Sequence, residues 1–125
     1  LVYNPDETVS LNNYAYFLSL QGRNLEQALA MSARTLEKEP LNATYLDTYA
    51  WILFKLQRYE EALSYLEKAL RYMDEDNADI YEHYGDVLYM CGEKEKALEN
   101  WHRAVQLNSE STTIERKIKE EKYLE

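Results

Sequence analysis

An all-α chain of helical hairpins stacked in series is the fold this sequence predicts, and three observations point to it. A pentad returns at one interval: "YAYFL" (14–18), "YAWIL" (49–53) and "YGDVL" (84–88) stand 35 residues apart. A second block follows each pentad, "LEQALAMSARTL" (25–36), "YEEALSYLEKAL" (59–70) and "KEKALENWHRAV" (94–105), with apolar residues every three or four positions, the period of a buried helix face. With three Gly and two Pro in 125 residues, and Leu, Ala, Glu and Lys abundant, the composition favours helix, and strand-type alternation is hard to find.

The pentads set a 35-residue frame opening at Thr8, Ala43 and Ala78. Residues 1–7 then form the tail of a preceding repeat, and the repeats run 8–42, 43–77 and 78–112, with a capping helix at 113–125. The first helix of the middle repeat carries its stripe through Leu46, Tyr49, Ala50 and Leu53, and the second through Ala62, Leu63, Leu66, Ala69 and Leu70. Between the two blocks Gly22 and Gly92 hold one slot, where glycine can end a helix by adopting a left-handed backbone, and Gln57 stands at the same place in the middle repeat. Pro5 and Pro40 stop the helix before the next first block. Asp6, Asn42 and either Asp76 or Asn77 are N-cap candidates, their side chains able to accept from the free first-turn N–H groups. The first repeat needs one extra residue in its Gln21–Asn24 turn. The small residues Ala15, Ala50 and Gly85 face Ala28, Ala62 and Ala97 across each hairpin, so two helix backbones can approach closely. Since one such hairpin cannot bury its apolar face alone, neighbours must stack into an α-solenoid.

These residues resemble the tetratricopeptide repeat family, whose first helix carries a large apolar residue, then Leu-Gly, then Tyr, and whose second carries Ala, a large aromatic and Ala. The middle repeat matches through Leu46, Tyr49-Ala50, Leu53, Ala62, Leu66 and Ala69. The third matches through Tyr81, Tyr84-Gly85, Leu88, Ala97, Trp101 and Ala104, and the first through Leu11, Tyr14-Ala15, Leu18 and Ala28. Ser32 and Thr35 depart from the pattern, as do Asp74 and Ser109 where Pro is usual. The resemblance implies a right-handed superhelix and, in style, the C-terminal part of a bacterial repeat protein. After residue 113 the pentad is lost: Arg116, Lys119 and Glu120 hold its slots, and Ile114 and Ile118 make one narrow apolar stripe, as a terminal cap requires.

By resemblance, the first helices line a concave groove where ligands dock. Carried over position by position, the groove residues are Asn12, Asn13 and Tyr16; then Asp47, Thr48, Trp51 and Lys55; then Asp79, Glu82, His83 and Asp86. Each set falls on one helical stripe. Some family members hold a terminal carboxylate with Lys, Arg and Asn at these slots. Asp47, Glu82 and Asp86 have the wrong sign for that, so a basic or polar segment of a partner protein is the expected ligand, with Tyr16 and Trp51 as flat anchors. The opposing reading makes the aromatics packing and the acids a solvated face. The alternative function is a structural spacer, or a self-association module pairing through an exposed repeat end.

The formal net charge of −9 argues against nucleic acid and against contact with an anionic membrane surface. One cysteine, Cys91, excludes an internal disulfide and leaves cytoplasm and cell envelope both open. Cys91 stands in the slot of Leu56 and is expected to pack, while His102 is expected to face solvent. Asp79, Glu82, His83 and Asp86 could be imagined around a metal, but no recurring ligand signature supports one. No phosphate loop, nucleophile–base pair or cofactor motif is present, so a non-enzymatic binding module with no cofactor is the expectation.

Overall fold

The computed structural model describes residues 5–107 and 109–124. Those residues form seven helices and no strand: α1 (Pro5–Gln21), α2 (Leu25–Lys38), α3 (Ala43–Lys55), α4 (Tyr59–Tyr72), α5 (Ala78–Met90), α6 (Lys94–Gln106) and α7 (Ile114–Glu120). The chain divides into two compact units, split between Tyr72 and Met73. The first holds α1–α4 and the second α5–α7.

Helix starts follow local chemistry. Asn42 caps α3, its Oδ1 accepting from the Tyr45 N–H at 3.1 Å. Asn77, rather than Asp76, caps α5, accepting from the N–H groups of Asp79 at 2.9 Å and Ile80 at 3.2 Å. Asp76 is instead paired with Arg103 at 2.7 Å, tying the segment before α5 to α6. One boundary differs from the repeat frame. Helix α1 opens at Pro5, not Thr8, so Asp6 lies inside the first turn and is not its cap. Proline fits there because its missing N–H would have no partner in a first turn, and Asp6 and Glu7 favour the helix dipole. Residues 5–7 therefore belong to the first hairpin, while 1–4 of the expected preceding tail lie outside the described residues.

Helix ends repeat one device. Gly22, Gln57 and Gly92 have φ of 66°, 63° and 88°, all left-handed. At each, two hydrogen bonds close the turn. Gln57 N–H donates to Phe54 O and Arg58 N–H to Leu53 O, both at 2.9 Å, with equivalents at Gly22–Arg23 and Gly92–Glu93. This is the Schellman arrangement, which satisfies carbonyls the helix leaves open. The extra residue of the first turn is absorbed by Asn24, itself left-handed with φ 51° and ψ 42°.

In the first unit, Ala15, Leu18, Ala28 and Ile52 form a buried cluster with Leu29, Met31 and Leu56 packed against it. Ile52 of α3 thus joins the second hairpin to the first. In the second unit, α5 and α6 approach so closely at Gly85 that an added Cβ would lie 2.5 Å from the Trp101 ring and 3.0 Å from the Ala97 carbonyl. Trp101 is fully buried, and its ring stacks on Tyr89 at 6.1 Å. The small-residue slots Ala15, Ala50, Ala28, Ala62 and Ala97 are all fully buried.

Candidate functional site

In the first unit, α1 and α3 pack against one another and carry seven of the proposed groove residues. Asn13 is exposed and Tyr16 half-buried. Asn12 is only 5% exposed, and its Oδ1 has no hydrogen-bond partner. Asp47, Thr48 and Trp51 are buried and not presented to solvent, against the expectation that they line an open groove. The Trp51 ring stacks on Phe54 with centroids 4.8 Å apart, and the half-buried Lys55 ammonium lies 5.2 Å from its centroid. Such a cation over an indole contributes about 0.5–1 kcal/mol at an exposed position.

Helix α1 also presents an apolar strip to solvent: Val9, Tyr14, Phe17 and Leu20 are each about half exposed, with Tyr14 and Phe17 rings stacked at 6.4 Å. A cleft of about 440 Å³ beside it is lined by Asp6, Glu7, Ser10, Leu11, Tyr14 and Met31. Phe17 occupies the repeat slot of Ile52, which is wholly buried.

The second unit departs from the expected acidic groove. Asp79 is exposed at the start of α5, but Glu82, His83 and Asp86 are buried. The cause is a residue the repeat pattern did not single out. Lys117 of α7, only 3% exposed, places its Nζ 2.7 Å from Glu82 Oε2 and 2.9 Å from Asp86 Oδ1. Trp101 Nε1 donates to the same Asp86 oxygen at 3.0 Å. Ser111 Oγ donates to Glu82 Oε2 at 2.8 Å, and the Lys117 ammonium also lies 5.2 Å from the Tyr123 ring centroid. The terminal helix therefore does not show all its charge to water.

Two buried carboxylates share one ammonium, and this imbalance has an electrostatic result. Burial pushes the Asp86 carboxyl up to about 6, against the pull of Lys117 and of His83, while Glu82 adds to the rise. Among the described residues, no group of three or more His, Cys, Asp or Glu side chains could hold a metal ion. His102 is exposed and Cys91 half-buried, as expected of their slots. Lys117 did carry a signal. It stands 35 residues after Glu82 and 70 after Asp47, in the slot that Asn12 opens.

Two-helix hairpins closed by one recurring turn, with small residues at each crossing, define a helical-repeat protein. The chain belongs to the tetratricopeptide repeat family: family models of this repeat match residues 6–75 and 49–109. Solved structures agree in fold. The first tetratricopeptide domain of human RPAP3 superposes with a TM-score of 0.82 at 16% identity, over 94% of this chain and 91% of that one. The first such repeat domain of Spaghetti (RPAP3), bound to the HSP90 peptide SRMEEVD, gives 0.81 at 15% identity, over 94% and 92%. YrrB, described as a repeat protein of this family with an unusual peptide-binding site, is 30% identical with a TM-score of 0.74, over 92% of this chain and 58% of that one. No curated protein matches the chain.

Proposed function

We propose that the chain is a non-enzymatic interaction module, and that the α1–α3 face of its first unit binds an extended segment of a partner protein. One observation carries this: the Asn12 carboxamide is nine-tenths buried with its oxygen unpartnered. Leaving such a group unsatisfied costs about 1–3 kcal/mol, so a bound peptide N–H that a small side-chain rotation brings into reach recovers that loss. Asn13 and Tyr16 flank it on α1, and Lys55 marks the α3 side. Similar folds bind peptides; one is described with the acidic, carboxylate-ended SRMEEVD. Asp47 is buried, so this face offers a ligand the amides of Asn12 and Asn13 and the half-buried Lys55, which favours a polar segment.

The test is a positional-scanning library of extended peptides, with amidated and free C-termini, screened against the chain and its Asn12→Leu variant. The variant should melt no lower than the unaltered chain, since it removes an unsatisfied buried oxygen, and should lose binding at least tenfold. Equal binding by both, or selection of acidic peptides with free termini, would overturn the assignment.

A second reading, self-association, is favoured by the exposed strip of Val9, Tyr14, Phe17 and Leu20. Its slots in α3 include a wholly buried residue, so α1 has the chemistry of an interface. Sedimentation of the chain beside a Phe17→Asp, Leu20→Lys variant separates the two. A concentration-dependent dimer lost in the variant favours self-association, and a monomer in both excludes it.

A further inference from the structure

We infer that the surface of α5 and α6 beneath α7 is a second binding site, one that takes a lysine-bearing amphipathic helix and is occupied in the chain by α7 itself. The inference is independent of the first-unit site.

What α7 presents to the rest of the unit is a compact pattern. Ile114 is 2% exposed, Lys117 is 3% exposed and Ile118 is half-buried, an apolar-x-x-Lys-apolar spacing that falls on one helical stripe. The receiving surface is built for an ammonium. Glu82 and Asp86, one turn apart on α5, each accept from Lys117 Nζ, and Trp101 Nε1 of α6 donates to Asp86, while Ser111, which donates to Glu82, arrives with the docked segment. The Lys117 ammonium therefore meets two carboxylates of the receiving surface, and its own segment folds Tyr123 over it. These are the features of a recognition pocket for a primary amine, defined by an occupant actually seated in it.

Helix α7 has seven residues, far below the length at which an isolated helix is stable, so its structure depends on docking. Its outer side carries Glu115, Arg116, Lys119 and Glu120, all exposed, and the segment leading to it is rich in Ser and Thr with no helix of its own. Undocking would open Glu82 and Asp86 to solvent, with Trp101 Nε1 still placed to donate to Asp86. A partner helix with the same spacing then competes with α7 for one surface. The pocket selects lysine there because both carboxylates meet a single point charge at 2.7 and 2.9 Å.

Two measurements on the full chain decide the matter. In hydrogen exchange of the unaltered protein, α7 amides should exchange at least a hundredfold faster than those of α5 and α6, through a local opening. Equal protection of α5, α6 and α7 would make α7 part of one cooperative unit and overturn the proposal. In the second, a labelled synthetic peptide of residues 109–124 is titrated into the Lys117→Glu chain, whose α7 is repelled by Glu82 and Asp86. It should bind this variant at least tenfold more tightly than the unaltered chain, and the same peptide carrying Lys117→Glu should not bind. Failure to bind a variant with unchanged helical circular dichroism would overturn the site. A dimer formed on mixing the variant with the unaltered chain would assign the surface to a second copy, and so overturn the partner named here.

Discussion

Replacing Asp86 by Asn should make the protein more stable at neutral pH, although Asp86 sits in an ion cluster. The amide keeps an oxygen that can accept from Trp101 Nε1 and Lys117 Nζ, and it leaves Lys117 and Glu82 as a balanced pair. A carboxyl that ionises at about 6 when folded and near 3.8 in the open chain penalises its charged form in the fold. The sign follows: the folded state binds the extra proton, so this group's contribution improves as pH falls through 6 towards 4 and is at its worst above 6. Linkage puts the penalty at about 3 kcal/mol at pH 7.5 and about 1 kcal/mol at pH 4.5. The variant's advantage over the parent should therefore shrink by about 2 kcal/mol between those two pH values, whatever constant offset the amide itself introduces. Urea unfolding of both proteins, followed by tryptophan fluorescence and far-ultraviolet circular dichroism, measures it. A stability gap that does not change with pH would refute the electrostatic account of this cluster. The other groups facing Asp86 are Glu82 and His83 on α5, Trp101 on α6 and Lys117 on α7, so the variant isolates one carboxyl among them.

Three further outcomes follow from the packing. Gly85→Ala brings a Cβ against the Trp101 ring and should lower the unfolding free energy by about 1–3 kcal/mol, measured by urea unfolding. Gln57→Gly relieves a non-glycine residue at φ 63° and should raise the melting temperature, by about 1 kcal/mol of stability or somewhat less once unfolded-chain entropy is counted. Ser32 is wholly buried, and its hydroxyl has no hydrogen-bond partner, so Ser32→Ala should stabilise the first unit by about 1 kcal/mol, again by urea titration.

Much of the fold was legible because its causes are local or periodic. The 35-residue interval placed the hairpins, Asn42 announced one cap and the Asp76–Asn77 pair a second, and the glycines at 22 and 92 marked two of the left-handed turns, Gln57 supplying the third in the same slot. The early start of α1 was not legible, since a proline stops one helix and opens another with equal ease. The buried state of Glu82 and Asp86 was hidden for a different reason. Their partner lies 35 and 31 residues away in a short helix crowded with charge, where lysine ordinarily points to water. Spacing could have exposed it, because Lys117 continues the series Asn12, Asp47, Glu82 at one interval. Composition could not, because nothing in a count of charges tells which of several lysines is the buried one.

Asn24 carries a lesson for how such chains change length. One added residue beside Gly22 is taken up by a second left-handed twist, and α2 still begins three residues before its crossing alanine, Ala28, as α4 and α6 do before Ala62 and Ala97. Insertions at this corner leave every helical face pointing where it did. A strict count of residues between motifs slips by one at this bend, while the start of α2 keeps its distance from the crossing alanine.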